Sequence, residues 1–381
     1  MRKLQTISYV GIALASAAAI TFSPITANAQ PAIQAMSPES IVQSGATSVQ
    51  MQSMQNGAVV NMNAGALDNQ GTPIGDQAYF RAGSVTKPFI STVIMQLVDE
   101  GKVDLNAPID TYLPGKIIGG DKITTKQLLS HTSGLQEYLP SLPLYNVASY
   151  PTTDDKFKEM LDSAYNVDQL IGYINSRPLA TEPGSAFSYA NSNYVVAGEI
   201  IAKVTNKPYA KNVEERVLSP LGMTHTYLPG TDQNLPNPGA RGYTDISDPL
   251  LGGTGFHDMS RYNGSQVGAS GEIISTTGDL NRFTKALASG TLVSADSHEQ
   301  MITPISDMGD GSTGYGLGVM SVQTACGSMI GHGGNIYGYA TQAFSSSDGS
   351  RQIAVSGTEG SLGYLQVTAA TQQLAAQAMC E

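Results

Sequence analysis

Strand-like alternation sits at the two ends of this chain, and helical patterning fills the middle. Near the N-terminus, Gly57–Asn63 and Gln77–Arg81 read as strands parted by a turn rich in Gly, Asn and Pro. Near the C-terminus, Gly316–Gln323 alternates, and Asn335–Phe344 and Arg351–Ser356 flank Ser345–Ser350, whose Asp348-Gly349 marks a hairpin turn. Between these ends, Thr125–Ser130, Asp168–Asn175 and Ser192–Thr205 carry helical spacing. Thr276-Thr277-Gly278-Asp279 reads as a capping box opening a helix with Leu280, Phe283 and Leu287 that stops at Gly290. A last helix is expected over Leu365–Met379, whereas the polar stretch 31–56 reads as a lead-in with some helix. Strands far apart in sequence must meet to bury their apolar faces. The expected class is therefore α/β (α+β): an antiparallel sheet built from both ends, flanked by helices, with a mostly helical second lobe. The expected sheet lobe is 30–110 with 266–381, and the helical lobe 111–265.

The first residues read as an export leader. Arg2 and Lys3 precede an apolar stretch from Ile7 to Phe22, and Ala27-Asn28-Ala29 is a small-x-small cleavage signal. Cleavage is expected near Ala29–Gln30, leaving residues 30–381 as one domain in the periplasm or outside the cell. No later segment is apolar for long enough to span a bilayer. The hydrophobic share of 41% marks a folding chain, not a disordered one. A net charge of −11 without any Lys/Arg cluster repels phosphates, so nucleic acid is excluded as a partner. Two cysteines, Cys326 and Cys380, would find oxidising conditions after export, and a disulfide between them is expected.

Several chemistries are missing from the sequence. There is no HExxH and the five histidines are scattered, so no metal is expected. Neither a GxSxG elbow nor a GxxxxGK[ST] loop occurs, and no cofactor is implied. What remains is Ser84-Val85-Thr86-Lys87. Ile90, Val93, Ile94 and Leu97 form an apolar stripe, so Ser84–Glu100 reads as a helix ending at Gly101. Pro88 forbids extension far upstream, which puts Ser84 in the first turn. Residues i and i+3 share a helix face, so the Lys87 amine falls within reach of the Ser84 hydroxyl. Serine needs a base, and lysine serves only if burial or a nearby cation lowers its pKa.

Two downstream elements match that pair. Tyr189-Ala190-Asn191 sits just before a helix, where the phenol can relay a proton and the amide can bind substrate or orient the lysine. His332-Gly333-Gly334-Asn335 enters the C-terminal hairpin, where glycines admit a substrate backbone and the Asn335 N–H can join the Ser84 N–H as an oxyanion hole. A lone S-x-x-K is weak; the three together in this order are specific. They resemble the penicillin-recognising serine hydrolases, in the branch with Tyr-x-Asn and His-x-Gly. The likeness is greatest to the secreted D-alanyl-D-alanine carboxypeptidases and class C β-lactamases, and it runs from near Gln50 to the C-terminus. Leu128–Leu135, Pro183-Gly184, Pro220–Met223 and Tyr315–Gly318 also match the family's usual stretches.

The resemblance implies a β-lactamase/transpeptidase-like fold and an acyl-enzyme on Ser84. It implies that Lys87 and Tyr189 share the proton transfers, that Asn191 positions the substrate amide, and that His332 stands where relatives have a lysine. Gly334 and Asn335 line the substrate strand, and the N–H groups of Ser84 and Asn335 hold the oxyanion. The implied partner is a small peptide, β-lactam or ester; a D-alanyl peptide is the first expectation, with a D-amino-acid amide as an alternative. A non-catalytic penicillin- or peptidoglycan-binding module is the alternative of another kind. His131 is expected to be structural, because no nucleophile lies near it in sequence. If His332 carries charge, affinity for an anionic substrate should weaken as pH rises through its pKa, ordinarily near 6.5. Two departures stand out: Gly333 replaces a frequent hydroxyl residue, and Leu317–Ala325 contains no Arg or Lys to bind a terminal carboxylate.

Overall fold

The computed structural model describes residues 36–143, 154–245 and 256–381; the expected leader and its cleavage point lie outside them. The strands are β1 (Ser48–Gln55), β2 (Ala58–Gly65), β3 (Phe80–Arg81), β4 (Tyr243–Asp245), β5 (Phe256–Asp258), β6 (Ile274–Ser275), β7 (Ser306–Asp307), β8 (Thr313–Tyr315), β9 (Met320–Thr324), β10 (Gly327–Ile336), β11 (Tyr339–Ser346) and β12 (Arg351–Thr358). The helices are α1 (Pro38–Gln43), α2 (Thr86–Asp99), α3 (Thr125–Leu129), α4 (Asp154–Asp162), α5 (Val167–Asn175), α6 (Ser192–Thr205), α7 (Tyr209–Val213), α8 (Thr277–Ser289), α9 (Ala295–Ile302) and α10 (Tyr364–Cys380).

Eight strands form one antiparallel sheet in the order β2–β1–β12–β11–β10–β9–β8–β7. The two sequence ends thus meet at β1 and β12, as strand-like patterning at both termini requires. Val49, Met51, Phe344 and Val355 pack on Leu374 and Ala375 of α10 from one face, while Ala343 and Ala354 meet the α8 side of the other. β1 itself was not expected as a strand. Its glutamines disguise the alternation, yet Gln50 and Gln52 are buried beneath α8, where Gln52 accepts from and donates to Asn281 and Asn61 respectively.

The predicted strand Asn335–Phe344 is two strands, because Tyr337-Gly338 makes a tight turn with Gly338 at φ +80°. Gly316–Val319 likewise turns rather than pairs, and the strand begins at Met320. At the start of α8, Thr276 accepts from the Asp279 N–H, but Asp279 does not return the bond. Its carboxylate accepts instead from His225 N and Thr226 Oγ1, both at 2.9 Å.

α2 threads the core between the sheet and the helical part. Phe89, Ile90, Val93, Ile94 and Leu97 are wholly buried, and Phe89 stacks on Phe283 of α8 with centroids 3.6 Å apart. Each such side chain contributes about 1.5–3 kcal/mol when fully buried. The helix ends at Gly101, φ +69°, whose N–H bonds the Val98 carbonyl. A Cys326–Cys380 disulfide, Cα atoms 5.4 Å apart, ties the start of β10 to the last turn of α10.

Candidate active site

Ser84 lies in a short 3₁₀ turn, Gly83–Val85, one step ahead of α2 rather than inside it. The residue is half-buried. Lys87, in the first turn of α2, has no exposed surface. Its Nζ meets three oxygens: Ser84 Oγ at 2.9 Å, Asn191 Oδ1 at 2.8 Å and the Ser270 carbonyl at 2.8 Å. Desolvation holds its pKa down at about 7, with Glu137 pulling the other way. A neutral amine has two N–H bonds and one lone pair. The two carbonyl oxygens take the N–H bonds, and the lone pair then faces the Ser84 hydroxyl. That arrangement accepts a proton from Ser84 without rearrangement.

β10 brings the other wall. It pairs with β9 through Gly331 and Met320, and beyond that point His332–Ile336 run past the serine turn without β9 beside them. The approach is close enough to demand glycine on both sides. A Cβ on Gly334 would sit 1.9 Å from the Ala82 carbonyl oxygen, and one on Gly83 would sit 2.8–2.9 Å from the Asn335 backbone. The Asn335 side chain turns away, its Oδ1 accepting from Thr368 Oγ1 of α10 at 3.0 Å. What Asn335 presents near Ser84 is therefore its main chain.

Tyr189 completes the cluster. Lys87 Nζ stands 4.9 Å from its ring centroid. Its Oη is buried without a regular hydrogen bond, although the Ser84 hydroxyl lies near enough to oppose the burial that pushes the phenol well above its ordinary pKa. His131 stacks on the Tyr189 ring with centroids 4.2 Å apart, and its Nδ1 accepts from Ala190 N at 3.2 Å and from Asn193 Nδ2 at 3.0 Å. It holds the 189–191 turn in place, a structural role.

Two expectations change. The Asn191 amide is committed internally: Oδ1 to Lys87, and both N and Nδ2 to Glu137 Oε2, at 2.8 and 3.0 Å. Of the two roles open to it, orienting the lysine is the one its contacts serve. His332 is not a charged substrate anchor. It is wholly buried, Nδ1 donates to the Gly333 carbonyl at 2.5 Å, and Nε2 accepts from the Tyr315 hydroxyl at 3.0 Å. Desolvation and the nearby Lys87 charge lower its pKa to about 3. It is a neutral tautomer with both nitrogens used.

Ser270 and Glu137 escaped the sequence reading. A carbonyl leaves no sequence signal, and Glu137 stands in Leu135–Leu139 without a motif partner nearby. The one available hint was an acid two residues from both Leu135 and Leu139, just beyond the Leu128–Leu135 stretch.

A Beta-lactamase family model matches residues 31–358, nearly the whole described chain. The chain belongs to the beta-lactamase family. Within that family it is 31% identical over 287 residues to a putative penicillin-binding protein, PbpX, of Bacillus subtilis, covering 72% of this chain and 63% of the relative. It is 31% identical over 159 residues to the D-alanyl-D-alanine-carboxypeptidase/endopeptidase AmpH of Escherichia coli, covering 40% of this chain and 38% of that one. The chain thus spans less than two thirds of the length of these relatives. Among solved structures, a D-stereospecific amidohydrolase from Streptomyces matches with 33% identity and a TM-score of 0.77, over 87% of this chain and 95% of that one. The D-amino acid amidase of Ochrobactrum anthropi, 24% identical with a TM-score of 0.75 over 89% and 94%, shares the fold. The beta-lactamase-family chain has the β-lactamase/transpeptidase-like fold.

Proposed function

We propose that this protein hydrolyses D-aminoacyl amides and related esters or short peptides through an acyl-enzyme on Ser84. The observation that carries the proposal is the buried Lys87 amine, 2.9 Å from Ser84 Oγ and with its pKa lowered to about 7. In the forward step, Lys87 Nζ takes the hydroxyl proton as Ser84 Oγ bonds to the substrate carbonyl carbon. The N–H groups of Ser84 and Asn335 receive the negative charge on the carbonyl oxygen. The C–N bond of the tetrahedral intermediate breaks as the proton returns, by way of the Tyr189 hydroxyl, to the departing amine. Water then attacks the ester carbonyl and loses its proton to Lys87; the bond between the acyl carbon and Ser84 Oγ breaks, Lys87 returns that proton to Ser84 Oγ, and the acid leaves. Tyr189 acts as a neutral phenol here, since burial holds it far from ionisation while Lys87 is ready near neutrality.

The leaving group is read from what faces it. β8, β9, β10 and β11 contain no Arg or Lys, and His332 is neutral. A free C-terminal carboxylate would meet no cation from these strands, whereas an unsubstituted amide needs none. The Streptomyces amidohydrolase, which covers most of this chain, supports the same reading. A D-alanyl-D-alanine carboxypeptidase is the second reading, favoured by the description of the AmpH relative. Residues 1–29 are proposed as an export leader, and no helix among the described residues is long and apolar enough to cross a membrane.

The test is a panel of D-alanine amide, L-alanine amide, an acyl-D-Ala-D-Ala peptide, a short-chain ester and a cephalosporin. Preference for the D-amide over its L-enantiomer supports the first reading. Preference for the dipeptide carboxylate supports the second. Equal turnover of D- and L-amides rejects the first reading, and failure to cleave the acyl-D-Ala-D-Ala peptide rejects the second.

A further inference from the structure

The polarity of the Asn191 amide is fixed from behind. Glu137 Oε2 lies 2.8 Å from Asn191 N and 3.0 Å from Asn191 Nδ2, and Glu137 Oε1 accepts from Leu139 N at 3.1 Å. Burial raises the Glu137 pKa, but the backbone N–H groups of Asn191 and Leu139 can only donate, so both carboxyl oxygens accept here. The amide NH₂ must therefore face Glu137, which leaves Oδ1 for Lys87 at 2.8 Å. Were the amide reversed, its NH₂ would confront the lysine and claim its lone pair. The Ser84 hydroxyl would then have no base.

We infer that Glu137 is a positioning residue, which turns the Asn191 amide toward Lys87 and so keeps the lysine lone pair on Ser84. This rests on the proposed acyl transfer through Ser84 and adds a control that the family motifs do not contain. Glu137 also acts through space. Its negative charge favours the Lys87 ammonium, against the desolvation that opposes it. The other groups facing Lys87 are Tyr189 and Tyr194 under and beside the amine, His131 behind the tyrosine, and His332 from β10. Both phenols are pushed up and both imidazoles down, so these four stay uncharged near neutrality. Tyr138 and Tyr189, the titratable neighbours of Glu137 besides Lys87, stay protonated as well.

The experiment measures the acylation burst with p-nitrophenyl acetate from pH 5 to 8.5 for the wild type, S84A, E137Q and E137D. S84A checks the underlying reading: a burst that survives it removes Ser84 from the chemistry whatever Glu137 does. With Ser84 confirmed, E137Q should lower the plateau rate on the order of 10- to 100-fold. Its acid limb should move to lower pH by roughly half a unit or more, because the ammonium has lost its anion. E137D keeps the charge and should be slower with the limb near its wild-type position, so the inference stays testable if E137Q does not fold. A slower E137Q with an unmoved limb means that Glu137 merely supports the loop, and overturns the inference. So does an upward-moving limb, or a wild-type rate in either variant.

Discussion

Lys87 Nζ lies 2.9 Å from Ser84 Oγ, with the lysine wholly enclosed and its other two contacts both carbonyl oxygens. Burial holds the pKa of the amine at about 7. The base form increases as pH rises, so kcat/KM should climb tenfold per unit below about 7 and level off above it. Lys87→Arg keeps the cation at every accessible pH and should cost on the order of 10²- to 10⁴-fold in acylation. A pH–rate profile on both proteins checks this; a flat profile between pH 5 and 8 contradicts it.

His332 leads to the opposite outcome from the one its position in the motif suggests. Both ring nitrogens are bonded, and its pKa is lowered to about 3. Substrate KM, measured for an acidic and a neutral substrate of similar size, should therefore have the same pH dependence from pH 5 to 8. A selective weakening of the acidic substrate through pH 6–7 would restore the charged role.

The disulfide closes a separation of 54 residues between Cys326 and Cys380. A loop of this length stabilises by about 4 kcal/mol in the chain-entropy model, and measured effects commonly fall at about 2–4 kcal/mol. The double serine variant should melt several degrees lower yet keep its room-temperature turnover, since the bridge sits at the Gly327 end of β10 and the Ser84 turn meets the Asn335 end. Thermal melts with and without reductant, beside steady-state rates, test this. An unchanged melting temperature contradicts the stabilising role.

Glu272 gives a pH signature in stability. Its carboxylate is buried against the Tyr209 hydroxyl and the Gly230 N–H, and desolvation raises its pKa from 4.5 to about 7. The unfolded chain releases the proton first as pH rises, so the native state loses stability between about pH 4.5 and 7. Below that window both states are protonated and the contribution is complete. Glu272→Gln should flatten this part of the stability–pH curve in urea melts. An identical slope in both proteins refutes the assignment.

How far the sequence reached depended on how local each signal was. The range of α6, Ser192–Thr205, was legible in full, and α10 nearly so, because apolar spacing sets such helices. The β11–β12 turn was legible through Asp348-Gly349, while the β10–β11 turn was not: alternation runs through Tyr337-Gly338 without a break. β1 hid because its buried Gln52 is held partly by Asn281, 229 residues away, which the local sequence does not signal. In the site, the residues proposed to react, Ser84, Lys87 and Tyr189, stood in motifs. Those that aim them, Glu137 and the Ser270 carbonyl, act across 54 and 183 residues and had no local pattern to read. Whether His332 carries charge was left open for the same reason, because burial is a property of the assembled sheet.

The most direct test of the account is where an acyl group lands. Wild type and Ser84→Ala should be quenched during turnover of the best substrate in the panel, and the intact and digested masses measured. The account predicts a wild-type adduct equal to the acyl moiety on the peptide containing Ser84, absent from the alanine variant along with turnover. An adduct on another residue, or an alanine variant that keeps its turnover, would contradict it.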